Sequence, residues 1–432
     1  MKKIVVALLM IPSLSMAKGL TLSQLIEKAI MENPEIKIAR KEEKISQYQY
    51  REAIGKFFPI INLEYKKFSH SDVPEMRFSL PPLPPSSFPL IEKHYHDLQA
   101  TLTQPLFTGG YLLYNAKMKK AAESAQFYKF QDRVAKVIAE VKKDYYTLSE
   151  AKTAVKIAED YVKAAKSHLK DAKAFYDEGI VARRDYLEAE VKYREAIEAL
   201  TKAESFYTVA LEKLKTDTGI QKESIEVENL SYKPVNYKQS ELIEKAFKSN
   251  PLLIAIRKMK EGANYGVKMA YSQFLPKVSA VLGYEKTNQY PGIGEFDETF
   301  GALVVQMPIF EGTQRYWRTL EAKENSEKAS LTLQQAKDRI KLGIISAFSR
   351  LKSAASRIKT AQAMVEQAKE LLKDSKERYK AHVGTSTEVC DAIAYYVKAE
   401  GALNSAIADY NRALADLEYY TGGLPAGQPP LK

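Results

Sequence analysis

Cysteine, proline and glycine are scarce in this sequence of 432 residues, and each shortage narrows the possible folds. The single cysteine, Cys390, cannot form an intrachain disulfide, so packing or assembly has to stabilise the protein. No proline lies between Pro105 and Pro234 or between Pro308 and Pro425, which predicts that both stretches are largely helical. The chain is 28% charged and 45% hydrophobic and lacks apolar runs of about 20 residues. A disordered chain and a polytopic bundle of transmembrane helices are therefore excluded.

The first residues have the pattern of a secretory signal peptide. Lys2 and Lys3 precede an apolar run over residues 4–11, and a small-residue site follows at Ser15-Met16-Ala17. We expect cleavage after residue 17 and an exported mature chain. The net charge is +11, or +9 without the two leader lysines. Because lysines are interleaved with glutamates along the predicted helices, we interpret this charge as solvated helix faces and expect no nucleic-acid partner.

The two halves of the chain repeat each other. The segment Leu25–Ala29, followed by Asn33-Pro34, returns 217 residues later as Leu242–Ala246, followed by Asn250-Pro251. Further matches are Phe57–Pro59 with Phe274–Pro276 and, at an offset of 203, Pro105–Gly109 with Pro308–Gly312 and Thr218-Gly219 with Thr421-Gly422. Six prolines between Pro59 and Pro105, where the offset changes, predict a long exposed loop. We predict an internal tandem duplication, with repeats at 18–219 and 239–422, a linker at 220–238 and a C-terminal tail at 423–432.

A seven-residue period predicts long helices. Apolar residues recur every seven positions from Val134 to Tyr176 and from Ile344 to Tyr379. Alanines lie three residues after many of these positions and form a second line. This pattern predicts antiparallel coiled-coil helices at about 111–178, 183–217, 312–380 and 386–420, whose alanines let the axes approach closely. At about 1.5 Å per residue, the first would be on the order of 100 Å long. A compact globule cannot contain such a helix.

Four segments outside these helices are predicted to be strands. They lie at about 61–70, 93–104, 278–285 and 299–306, and apolar and polar residues alternate along them. Alternation alone fits either a half-buried sheet of a soluble domain or the wall of an outer-membrane barrel. Because four strands cannot close a barrel and open edges are not tolerated in lipid, a barrel would require three copies and twelve strands.

These motifs together resemble the TolC-like outer-membrane efflux proteins, since each half has Asn-Pro early, Phe-x-Pro before the strands and Pro-x-Phe-x-Gly before the long helix. The resemblance implies a mainly α fold with a transmembrane β part, built as a homotrimer sharing a 12-stranded β-barrel (4 strands per chain) continued by a long α-helical coiled-coil tunnel. Such a trimer in the outer membrane and periplasm would be the passive exit duct of a tripartite efflux or type I secretion system. Its partners would be outer-membrane lipid, a periplasmic adaptor (membrane fusion protein) and an inner-membrane transporter. The cargo stays open among drugs, metal ions and polypeptides.

The resemblance also implies roles for residues near the two helix-hairpin tips. Glu388 and Asp391 match an acidic ring at the periplasmic aperture, where neighbouring carboxylates would raise one another's pKa and bind cations. Asp185 and Tyr379 match gate contacts. Gly384 stands where relatives can carry an arginine, so a salt bridge to Asp185 would have to come from elsewhere, such as Arg183 or Arg184, or be missing. The adaptor-contacting tips would be Gly179, Ile180 and Val181 in the first half and His382, Val383, Gly384 and Thr385 in the second, with His382 in place of the tip glycine.

Other candidate chemistry is sparse. His94 and His96 lie two apart on one predicted strand and lack a nearby third ligand, so we interpret them as a rim or loop pair and expect no metal site. We interpret Cys390 as a small buried residue without a redox role. The sequence has no phosphate-binding loop, zinc-protease motif or nucleophile elbow, so we predict no enzyme activity and no cofactor. The alternative function is a periplasmic coiled-coil scaffold or an adaptor without a membrane barrel.

Overall fold

The computed structural model describes residues 19–220 and 223–422. The predicted signal peptide and C-terminal tail lie outside these residues. The chain forms two compact units, a strand-containing unit of Lys41–Tyr128 and Ile254–Gln335 and a helical unit that includes Lys129–Leu253 and the residues from Ala336 onward. Within the described ranges, no helix is both long and apolar enough to cross a membrane.

The same order of elements occurs in both halves: two helices, two paired strands, a helix of 67 residues and a shorter returning helix. The first half has an additional short hairpin between its two paired strands. The first half comprises α1 (Leu22–Glu32), α2 (Pro34–Gly55), β1 (Ile60–Ser69), β2 (Glu75–Phe78), β3 (Ser86–Pro89), β4 (His94–Phe107), α3 (Tyr111–Asp177) and α4 (Arg183–Thr218). The second half comprises α5 (Gln239–Ser249), α6 (Pro251–Ser272), β5 (Lys277–Thr287), β6 (Phe296–Gln306), α7 (Gln314–Lys380) and α8 (Ser386–Tyr420).

Four antiparallel strands form one sheet in the order β1-β4-β5-β6. Because side chains alternate along each strand, the register places most apolar residues of β1, β4 and β5 on one face and most of their polar residues on the other. One apolar row is Ile61, Leu102, Leu282 and Gly301, and one polar row is Glu64, Gln99, Glu285 and Glu298. In the described part of the chain, β1 and β6 pair on one side only, so the sheet has two open edges.

Two parts of the predicted layout were wrong. The proline-rich segment is not a continuous loop, because β2 and β3 pair within it, with Met76 opposite Phe88. A helix, α2 or α6, also follows each Asn-Pro motif, whereas no helix was predicted at these positions. Proline is suited to the first helical position because its fixed φ is helical and no N–H is needed there.

In the helical unit, each Asn-Pro motif joins two helix ends. The Asn33 side chain accepts a hydrogen bond from the Glu35 amide (2.8 Å) and donates one to the Asp217 carbonyl (2.9 Å). Asn250, which is fully buried, does the same with the Leu253 amide (3.2 Å) and the Tyr420 carbonyl (3.1 Å). Each asparagine thus caps the helix that it starts and holds the end of a long returning helix.

The alanine lines of the long helices are buried in the same unit. Ala151, Ala172, Ala347, Ala354 and Ala368 have no exposed surface. A side chain of one methyl group leaves room for close packing of helix axes. Larger apolar residues, including Leu148, Ile344 and Ile358, fill the neighbouring positions of the seven-residue period and are also fully buried.

Candidate functional site

The tips of the two long helix hairpins lie between α3 and α4 and between α7 and α8. Each tip turns through one residue in the left-handed conformation, Gly179 (φ 76°) in the first and His382 (φ 59°) in the second. The next amide then returns to the preceding helix, from Ile180 to the Phe175 carbonyl (2.8 Å) and from Val383 to the Arg378 carbonyl (3.0 Å). The two tips therefore share one backbone turn despite the histidine.

The side chains of the tips differ. The His382 ring contacts Phe175, with ring centroids 4.6 Å apart, and this contact helps to hold a conformation that favours glycine. Two apolar tip residues are exposed, Ile180 at 47% and Val383 at 69%. Among the other tip residues, Thr385 caps α8 by accepting a hydrogen bond from the Glu388 amide (3.2 Å).

Behind the tips, a buried hydrogen-bond network joins three helices. The Nε2 atom of His168 on α3 lies 2.9 Å from the hydroxyl of Ser386, the first residue of α8. The same hydroxyl donates to the backbone carbonyl of Asp185 on α4 (3.2 Å). Burial lowers the pKa of His168 below its ordinary value, so the ring is neutral near pH 7. This network links α3, α4 and α8 behind the tips.

Tyr379 on α7 packs beside this network but takes no part in it. Its ring contacts His168 and Phe175 at centroid distances of 4.9 and 5.5 Å. The side chain is buried, and within the described residues its hydroxyl has no hydrogen-bond partner. Burial, with a further contribution from the Asp185 charge, raises the pKa of Tyr379 to about 12. Tyr379 and Asp185 are thus close without a hydrogen bond between them.

The neighbours of Asp185 and Gly384 explain how the second tip is built. Asp185 has a cation beside it in its neighbour Arg184, with Nε 3.6 Å from the carboxylate. A Cβ atom on Gly384 would lie 3.1 Å from both Arg378 Cβ and the Tyr379 amide nitrogen. Glycine at position 384 therefore lets the turn pack tightly against the end of α7.

Glu388 and Asp391 lie together on the exposed side of α8. They are three residues apart, so both belong to one helix face, while Val389, Cys390 and Ala392 between and beside them are buried. Arg378 approaches Glu388, with 4.0 Å between Nε and Oε2. The carboxylates of this pair are available to solvent and to other chains, and one of them has a cation beside it.

The remaining candidate residues are Cys390, His94 and His96, and their contacts are those of structural residues. Cys390 is a free thiol, and burial raises its pKa to about 11, which keeps it protonated and unreactive. His94 contacts the Ser69 hydroxyl (3.0 Å), and His96 lies 3.7 Å from Glu295. Among the described residues, no three His, Cys, Asp or Glu side chains gather where they could hold a metal ion.

Sequence reasoning missed His168 and Ser386. His168 is one residue from an apolar position of the seven-residue period, and Ser386 follows a threonine at a helix start, so neither pattern indicated a contact between them. Their pairing depends on how α3 and α8 pack, with 218 residues between them in the chain. The only usable signal was that a buried histidine requires a polar partner.

The fold has known counterparts among bacterial outer-membrane channels. The structure of the outer-membrane channel OprN matches with a TM-score of 0.78 and 16% identity over 93% of this chain and 90% of that one. The CmeC outer membrane channel of Campylobacter jejuni matches with 0.75 and 17% over 93% and 85%. The outer membrane protein VceC of Vibrio cholerae matches with 0.76 and 15% over 93% and 96%. No curated protein is significantly similar in sequence.

The fold is therefore that of an outer-membrane channel that extends into the periplasm. The model of the family described as outer membrane efflux protein matches residues 25–219 and 242–423. This chain belongs to the outer membrane efflux protein family, whose members are transport proteins and not enzymes.

Proposed function

We propose that three copies of this chain form one exit duct of a tripartite efflux or type I secretion system. Each copy would contribute four strands to a 12-stranded barrel and its long helices to a periplasmic tunnel. Substrates would pass passively, with energy supplied by an inner-membrane transporter that a periplasmic adaptor connects to the duct. The two matches of the family model and the repeated order of elements support the further proposal that the chain arose by tandem duplication.

The observation that carries this proposal is the four-stranded sheet. Both of its edges are open in the described residues, and one face is apolar across all four strands. Ile61, Leu63 and Leu303 on that face are each at least 66% exposed. Backbone N–H and C=O groups cannot stay unpaired in lipid. Pairing β1 of one copy with β6 of the next satisfies both edges and turns the apolar face toward lipid.

Engineered disulfides test this pairing. Asn62→Cys on β1 is combined, in a Cys390→Ser background, with a cysteine at Glu298, Phe300, Ala302 or Val304 on β6, all on the same face of the sheet as Asn62. Because β1 and β6 are opposite edges of one sheet, such a bond has to join two chains. We expect at least one pair to give a covalent trimer on a denaturing gel without reductant. The single Asn62→Cys variant is the control, and monomers at every register would contradict the barrel.

At the other end, we propose that Glu388 and Asp391 form the acidic ring of the periplasmic aperture. Three chains would bring six carboxylates around one axis and bind multivalent cations. Asp185 and Tyr379 would act in the gate, and the exposed tips from Gly179 to Val181 and from His382 to Thr385 would contact the adaptor. Support comes from the exposure of Glu388 and Asp391 on one helix face and of Ile180 and Val383 at the tips.

Single-channel recording tests the aperture. We expect Glu388→Gln with Asp391→Asn to weaken block by a multivalent cation by at least about tenfold, because two carboxylates are lost from each chain. Glu198→Gln, which removes an exposed carboxylate from α4, is the control. Block that is equally strong in the double variant would show that the aperture ring is elsewhere.

A further inference from the structure

A cavity of about 290 Å³ lies in the helical unit where α3, α7 and α8 meet, away from the tips. Two ion pairs cross from α7 to α8 at its walls, Arg350 to Asp416 (2.9 Å) and Arg357 to Asp409 (2.7 Å). The pairs are seven residues apart on each helix. The space between them is lined by the small residues Ser353 and Ala413, so one small side chain on each helix leaves the cavity open.

The cavity has an excess of positive charge. Lys143 on α3 reaches Asp416 at 3.1 Å, and Arg412 contacts Asp409 and Glu150, both at 2.6 Å. The lining thus contains four cations, Lys143, Arg350, Arg357 and Arg412, and two carboxylates, Asp409 and Asp416. Each carboxylate is shared by two cations, and the third carboxylate, Glu150, is engaged by Arg412.

Two of the arginines, Arg350 and Arg357, use only part of their hydrogen-bonding capacity. In the described part of the chain, the Arg350 and Arg357 side chains each make one hydrogen bond, in both cases through NH2. Both side chains are about half exposed, at 58% and 51%. A guanidinium has five N–H donors in a planar fork that fits two oxygens of a carboxylate or phosphate. Arg350 and Arg357 lie on either side of Ser353 along α7, and the Ser353 hydroxyl is a further hydrogen-bonding group.

The ion pairs hold these groups in place. Burial alone would raise the pKa of Asp409, but hydrogen bonds from Arg412 and Arg357 outweigh it and lower the pKa below its ordinary value. The carboxylate therefore stays ionised at neutral pH and keeps both arginines positioned. Ordered cations around an open cavity have less entropy to lose when an anion binds.

The coiled-coil fold does not require this cluster. Positions 203 residues before the three arginines carry Thr147, Ala154 and Val209 in the first half, where the same type of helix pair forms without them. Ala210, which precedes Ala413 by the same interval, is buried in the same way. The small residue is thus common to both halves, whereas the three arginines are specific to the second.

We propose that this cavity binds an oxyanion with two or more negative charges, either phosphate or a compact polycarboxylate. The anion would lie over Ser353 and Ala413 between the Arg350 and Arg357 forks, with Lys143 on the third side. The volume holds a molecule the size of citrate. Because the lining residues come from three helices, the bound anion would fix α3, α7 and α8 to one another. This site is independent of the barrel and of the tip residues.

Calorimetric titration of the purified full-length protein in detergent tests the site. Inorganic phosphate and citrate are added to protein prepared in chloride, at constant ionic strength, and sodium chloride serves as the blank. We expect saturable binding of at least one of the two, and their relative affinities identify the source of the oxyanion. Saturable binding of neither would overturn the proposal.

Three variants distinguish binding in the cavity from a general effect of charge. Arg350→Gln with Arg357→Gln should weaken binding at least tenfold, whereas Arg194→Gln with Arg339→Gln, which removes the same charge from exposed positions, should change it less than twofold. Ser353→Glu keeps every cation and places a carboxylate inside the cavity, so we expect it to abolish binding and raise the unfolding temperature in chloride. Equal losses in both double variants, or full binding by the Ser353→Glu protein, would refute the site.

Discussion

His168 and Ser386 are joined by a buried hydrogen bond of 2.9 Å that links α3, close to its end at the tip, to the first residue of α8. Because burial lowers the pKa of His168, the folded protein binds fewer protons than the unfolded chain below about pH 6.5. The contribution of this ring to stability is thus intact above pH 6.5 and declines as the pH falls.

We expect the free energy of unfolding to decrease by up to about 1.4 kcal/mol per pH unit per chain as the pH falls from 6.5 to 5.5. Thermal unfolding followed by circular dichroism at several pH values measures this. His168→Gln removes the titrating group and should flatten the dependence. His382→Gln, which changes an exposed ring at the tip, should leave it in place. Parallel pH curves for wild type and His168→Gln would contradict the assignment.

Tyr379→Phe removes a buried hydroxyl that has no partner in the described residues. Because an unpaired buried polar group costs about 1–3 kcal/mol, we expect the variant to be as stable as wild type or up to about 1 kcal/mol more stable. Ser386→Ala is the matched comparison. It removes the hydrogen bond to His168 Nε2 and should cost about 1–3 kcal/mol. Denaturant unfolding gives both values, and a large loss in Tyr379→Phe would show that the hydroxyl is paired in solution.

Gly384→Ala should destabilise the protein by about 1 kcal/mol, because the new methyl group would press on Arg378 and on the Tyr379 amide. Gly401→Ala is the control within α8, where a Cβ meets nothing within 4 Å and alanine favours the helix by up to about 1 kcal/mol. The two substitutions should therefore shift the unfolding temperature in opposite directions. A shift of the same sign in both would mean that the turn relaxes around a side chain at 384.

Asn33→Ala and Asn250→Ala should each cost about 1–2 kcal/mol, since each loses a helix cap and a bond to the end of a returning helix. Asn325→Ala, at an exposed position of α7, should have almost no effect. Unfolding in denaturant measures all three. No loss in either capping variant would mean that packing alone holds these helix ends.

The sequence allowed the long helices and the main strands to be predicted because both depend on regular periods. The seven-residue lines around Leu148 and Ile344 and the two-residue alternation around Leu102 are such signals. Helix α2 was missed because its polar, weakly patterned sequence has no clear apolar stripe. The β2–β3 hairpin was missed because proline weighs against strands, although Pro89 at a strand end needs no N–H.

The position of the candidate site could be predicted from the sequence, but the residues that surround it could not. The tips, Asp185 and Tyr379 were placed by their match to a family pattern. That pattern did not identify His168 or the missing hydrogen bond of Tyr379, because both follow from packing between residues that are distant in the chain. Nor did it indicate that His382 would adopt the conformation of Gly179.

That shared turn has a consequence for symmetry. Each chain presents two tips with one backbone geometry and two chemistries, a bare glycine at Gly179 and an imidazole at His382. In the proposed trimer, the two kinds of tip would alternate around the axis. All six tips would share one backbone shape, but the same side chain would return only at every second tip. A ring of six identical partner subunits would therefore meet two classes of site with different affinities.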